Sequence, residues 1–195
     1  MDATSFSRSR HFLALSGLCF GFSVFAQPAS SPAAAGDHTF VQKAAEGGAA
    51  EVALGQLAQQ KGSSAQVKEF GAHMVRDHSK SNDELKQIAA GKGIAPPDKP
   101  NAQQQKDAAK LEKLSAGSFD RAYMDQMVID HKKTIALFEG EAKSGKDPEL
   151  KAFAAKTLPT LTDHLKMAEQ TRSASRGTGV ALPGTVATAP CRNPK

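Results

Sequence analysis

Histidine and aspartate recur in this chain as adjacent pairs. Met127-Val128-Ile129-Asp130-His131-Lys132-Lys133 repeats, 53 residues on, the stretch Met74-Val75-Arg76-Asp77-His78-Ser79-Lys80. At the same offset Phe70 falls on Tyr123 and Leu85 on Phe138. Asp163-His164 follows as a third pair and Asp37-His38 stands at the start as a fourth. With six His and eleven Asp in 195 residues, chance alone gives about 0.3 such pairs. Neutral imidazole binds Zn, Fe, Mn and Cu, and neighbouring carboxylates can add oxygen donors, so the chemistry on offer is transition-metal ligation.

Ligation requires the imidazoles to meet, and the surrounding apolar spacing says how they could. Val67, Phe70, Met74, His78 (or Asp77), Ser81, Leu85 and Ile88 advance in steps of three and four, as do Met124, Val128, His131, Ile135, Phe138 and Ala142. Leu150, Ala154, Thr157, Leu161, His164 and Ala168 form a third such stripe, and Phe40, Ala44, Gly47, Glu51, Leu54 and Ala58 a fourth. Such steps mark one face of a helix, so each histidine lies on or beside a buried face. Counted from the turns between helices, His78, His131 and His164 fall at one depth. Glu51 lies on its stripe but closer to the first turn; Glu46 has the right depth but lies about 140° round the helix. Both remain candidates for a carboxylate ligand. Asp77 and Asp130 stand about 100° from their own histidines, so they flank the site or bond a different helix.

Other polar residues have simpler readings. His73 and Asp77 are spaced as a surface pair, and His38 is expected to face solvent. Met74, Met124, Met127 and Met167 sit at core spacing and read as packing. A buried His/Asp layer satisfied by hydrogen bonds is the alternative to a metal site.

Four long helices are expected, over about 39–61, 63–91, 119–144 and 148–171, with a short polar helix within 101–115. Thr39 with Gln42, and Ser63 with Gln66, have capping-box spacing; Asp147-Pro148 is an N-cap followed by proline. Pro96-Pro97 excludes a helix there, and Pro159 predicts a kink near 155–159. Short turns within each helix pair and about 26 residues between the pairs point to an all-α bundle. A connection of that length can recross a helix of 35–40 Å, which favours a crossover bundle of the ferritin-like kind.

Residues 1–26 read as a signal peptide: Arg8, Arg10 and His11 precede an apolar run from Phe12 to Phe25, and Val24-Phe25-Ala26 offers a cleavage site. Residues 27–37 are a Pro/Ala/Ser linker, the bundle spans 38–172, and 173–195 is a low-complexity tail. Cleavage would leave Cys191 as the lone cysteine, excluding an internal disulfide. The net charge of +5 comes from lysines spread over every helix, so no nucleic-acid partner is expected. No later segment reaches the apolar length of a membrane span.

The segments Phe70–Leu85 (FGAHMVRDHSKSNDEL), Phe119–His131 (FDRAYMDQMVIDH) and Lys151–Leu165 (KAFAAKTLPTLTDHL), with Ala50-Glu51-Val52-Ala53-Leu54-Gly55, resemble the exported bacterial family called domain of unknown function 4142. The resemblance covers about 38–170 and implies a ferritin-like four-helix bundle in the cell envelope, without an established activity. Di-iron proteins of that architecture carry Glu-x-x-His on two helices; the motif is absent here. The expectation is therefore an exported, periplasmic bundle that binds a transition metal (Fe, Mn, Zn or Cu) in its core or acts in envelope stress. Its ligands would be His78, His131 and His164 with Glu51 or Glu46, flanked by Asp77 and Asp130. A non-catalytic interaction module and, more remotely, a dinuclear oxidoreductase are the competing expectations.

Overall fold

The computed structural model describes residues 35–176. The expected signal peptide, most of the linker, Cys191 and most of the tail lie outside the described residues. Five helices follow one another: α1 (Ala35–Lys61), α2 (Ala65–Ala90), α3 (Ala102–Glu112), α4 (Ala116–Ser144) and α5 (Pro148–Ser175). The chief packings are α1 on α2 and α4 on α5, and α1 also meets α4 while α2 meets α5.

Contacts at the two ends of the bundle give the directions. Asp37, at the start of α1, accepts from the backbone N–H groups of Lys146 and Asp147 in the α4–α5 turn. Asp120, at the start of α4, accepts from the backbone N–H groups of Ser63 and Ser64 in the α1–α2 turn and from the Ser63 hydroxyl. Beyond the end of α2, Lys92 pairs with Asp147 at the start of α5. Each long helix is therefore antiparallel to both neighbours, in the order up, down, down, up. Residues 91–115, with α3 packed across α1 and α4, carry the chain from one end to the other. This is the ferritin-like crossover.

The two hairpins are related by a spacing that differs from the one seen in the sequence. Asp37 and Asp120 are 83 residues apart, and so are the N-caps Ser64 and Asp147. The 53-residue repeat instead aligns α2 with α4, which are not equivalent in the fold.

Several helix ends differ from the sequence expectation. α1 is already helical at Ala35, so Thr39 sits inside it and its hydroxyl donates to the Ala35 carbonyl. Ser64 caps α2 by accepting from Val67 N–H, because Ser63 is engaged by Asp120. A capping box does occur, at Asn101 and Gln104 of α3. Gly117-Ser118 does not delay α4, and α5 stays helical across Pro159 to Ser175.

Two apolar clusters fill the bundle. Phe40, Leu85, Phe138, Leu150, Phe153 and Leu161 pack at the end near the α4–α5 turn. Leu54, Val67, Phe70, Met74, Tyr123 and Met127 pack at the other. Beside the second cluster α1 and α2 come close: a Cβ on Gly55 would lie 2.6 Å from the Gly71 carbonyl oxygen, and one on Gly71 the same distance from that of Gly55.

Candidate metal centre

The layer between the two clusters is polar. On α2 His78 separates Met74 from Leu85, on α4 His131 separates Val128 from Phe138, and on α5 His164 separates Leu161 from Ala168. Glu51 on α1 separates Ala45 from Leu54. His78, His131, His164 and Glu51 are 6%, 1%, 2% and 4% exposed, so the layer is shut from bulk water.

The three rings form a near-equilateral triangle, with centroids 5.8 Å apart for His78 and His131, 5.4 Å for His78 and His164, and 5.5 Å for His131 and His164. One ligand nitrogen from each lies within 4.8 Å of the other two. Their hydrogen bonds assign the protons. His131 Nδ1 is 2.9 Å from the Met127 carbonyl oxygen, which can only accept, so Nδ1 carries the proton and Nε2 keeps its lone pair. His164 Nε2 is 3.0 Å from Asp77 Oδ2 and donates to it, leaving the lone pair on Nδ1. The His131 Nε2, His164 Nδ1 and His78 Nε2 atoms are all buried without a partner.

Electrostatics keep the rings in their ligand form. Burial, then the neighbouring rings His131 and His164, holds the His78 value well below that of a free imidazole. Burial takes His131 down to about 4, against the opposing Met127 bond. His164 is lowered by burial too, although Asp77 pulls the other way. All three are neutral at pH 7.

Glu51 completes the layer but stands outside the nitrogen triangle. Its Oε1 is 3.7 Å from His131 Nδ1, and Oε2 is buried without a partner. Burial, with the charge of Asp130 added, pushes its carboxyl up to about 8. Glu46 is not brought to the rings: it accepts from Asn101 Nδ2 at 3.0 Å, against the crossover connection. Asp130 accepts from Gln126 on its own helix and lines the outer groove between α1 and α4 with Glu46. Asp77 bonds another helix's histidine, as its angular offset required. His73 and Asp77 do not pair directly; Arg76 contacts both. His38 is exposed, and Met74, Met124 and Met127 are core residues.

Sequence reasoning passed over four neighbours. A cavity of about 30 Å³ adjoins His78, His164 and Glu51 and is lined by Ser81, Asn82, Thr134 and Thr157. Ser81 and Thr157 were legible as polar residues on otherwise apolar stripes; Asn82 and Thr134 carried no such mark. Tyr123 is also fully buried, with its hydroxyl unpartnered and its ionisation opposed by burial and by nearby Glu51.

Among solved structures, a fragment of the domain of unknown function 305 from Deinococcus radiodurans superposes with a TM-score of 0.66, at 14% identity, covering 74% of this chain and 99% of that chain. A protein described as a candidate spore coat protein from Bacillus halodurans C-125 gives a TM-score of 0.55 at 10% identity, covering 82% of this chain and 98% of that chain. At such identities the likeness is one of fold. No curated protein matches the sequence significantly. The model of the family termed domain of unknown function 4142 matches residues 23–171, which is most of the chain, and the protein belongs to that family.

Proposed function

We propose that this protein is an exported bundle that binds one transition-metal ion between His78, His131 and His164. The observation that carries the reading is three buried, neutral imidazoles, each with a partnerless nitrogen, that bring one nitrogen apiece within 4.8 Å of the others. A polar layer serving only to fix helix register would pair those atoms, since an unsatisfied buried acceptor costs roughly 1–3 kcal/mol. Three such atoms in one layer are a cost that a metal ion relieves. Fixing the protons of His131 and His164 on the far ring nitrogens, through a carbonyl and a carboxylate, is the arrangement that orients metal-binding histidines. Three nitrogens with a borderline donor set suit Zn, Cu, Fe or Mn.

The reading on location rests on residues 1–26 alone, whose basic start, apolar run and small-residue site suit export. Among the described residues no helix is long and apolar enough to cross a membrane.

Metal analysis of protein purified from the envelope fraction, with thermal melts in the presence and absence of chelator, tests the centre. One equivalent of metal and a chelator-sensitive Tm are expected, because an ion bound only by the native state stabilises it by mass action. His131→Ala should abolish both. If it leaves metal content and chelator sensitivity unchanged, the centre is elsewhere or absent.

A further inference from the structure

Three donors leave a metal ion with an open position, and a cavity adjoins two of the three rings and Glu51. His78, His164 and Glu51 border it, and each has a buried side-chain atom without a partner: His78 Nε2, His164 Nδ1 and Glu51 Oε2. His131 does not line it, so the space opens on the side of the triangle away from that ring. The rest of the lining is largely apolar, with Leu85, Phe138 and Leu161 in it, but it includes the polar side chains Ser81 and Asn82 on α2, Thr134 on α4 and Thr157 on α5. Gly47, Glu51 and Thr134 stand between this cavity and a groove of about 430 Å³ beneath the crossover, bordering both.

Size selects the occupant. One water takes about 10–15 Å³ of such volume, so a cavity of about 30 Å³ accepts two waters or one molecule of two or three atoms. We propose that Ser81, Asn82, Thr134 and Thr157 form the seat of a small exogenous ligand, water or a linear anion of two or three atoms, on the open position of an ion held by the three imidazoles. This rests on the metal-binding reading. The ligand donates a lone pair to the ion and accepts hydrogen bonds at its outer end from the Ser81 and Thr134 hydroxyls and the Asn82 amide, while Thr157, whose hydroxyl donates to the Phe153 carbonyl, bounds the space.

The test uses Co(II) as the probe ion and the visible spectrum as readout, on the whole mature chain. Co(II) should develop absorption bands at one equivalent, and azide should shift them saturably. Imidazole, which exceeds the cavity, should leave them unmoved. Thr157→Leu and, from a different helix, Ser81→Leu should each weaken azide by at least about tenfold while Co(II) affinity stays within about threefold. Thr157→Ser should behave as the unaltered protein. Co(II) bands that azide does not shift, an equal response to imidazole, or leucine variants that bind azide unchanged would overturn the seat and leave the metal centre standing. Absence of Co(II) bands in the unaltered protein would overturn the centre itself, and the seat with it.

Discussion

At the scale of single residues, the direction in which a side chain leaves its helix decides who belongs to the site. Glu51 is about a turn and a half nearer the first hairpin turn than the histidine layer by residue count. Every Cα–Cβ bond leans toward the N-terminus of its helix, which on α1 is toward that layer, and the long glutamate carries its carboxyl the remaining distance. Glu46 starts at the right depth but on the face that meets Asn101. Asp77 shows the same logic across helices: its 100° offset from His78 turns it to His164 on α5. Asp77→Asn keeps the shape and a carbonyl acceptor but removes the negative charge that strengthens the bond to the His164 N–H. It should lower metal affinity by roughly 10–100-fold with little change in the apo Tm, as for other residues that orient metal ligands. Calorimetric titration of both proteins with Zn(II) checks it, and unchanged affinity would deny Asp77 an orienting role.

At the scale of helices, backbone proximity and capping set the frame that holds the triangle. Gly71 faces the Gly55 carbonyl at the crossing of α1 and α2, whereas a Cβ on Gly47 would meet nothing within 4 Å. Two identical substitutions should therefore act in opposite directions. Gly47→Ala should stabilise by about 0.5–1 kcal/mol through helix propensity. Gly71→Ala should destabilise by about 1–3 kcal/mol despite the same propensity gain, because the helices must separate. Urea melts of the two variants decide, and a stabilised Gly71→Ala would mean the crossing is looser than described. The bundle ends add a second constraint. Asp120→Ala removes the acceptor for Ser63 and Ser64 and should cost roughly 1–3 kcal/mol, read as a lowered Tm.

For the whole molecule, buried titratable groups make stability depend on pH from two directions. Glu141, buried near the α4–α5 turn, is raised to about 7, first by burial and then by Asp37. A raised carboxyl favours the folded state while protonated: that contribution is complete below the ordinary value of 4.5 and is lost as pH climbs through 7. Glu141→Gln should thus raise Tm at pH 8, by the equivalent of roughly 1–3 kcal/mol, and change little at pH 4. An equal effect at both pH values would place its origin in packing. His131 acts in the opposite sense. Its value of about 4 lies below the ordinary 6.5, so its contribution is complete above 6.5 and disappears as pH falls through 4. Protons and metal then compete for the same ring, and the metal-free chain should lose stability over that window where the metal-loaded one resists.

The sequence by itself determined that the chain is a helical bundle of two hairpins with a crossover, because periodicity, turn residues and the long proline-bearing connection are local. It also put the three histidines at one depth and on or beside buried faces, since both follow from helical geometry and position relative to the turns, but it left the α2 stripe open between His78 and Asp77. The choice of Glu51 over Glu46, the Asp77–His164 bond, the reciprocal caps of Asp37 and Asp120, and the cavity beside His78 and His164 came only with tertiary structure. Each depends on where a second helix passes, and a residue's own spacing carries no record of the neighbour it will meet.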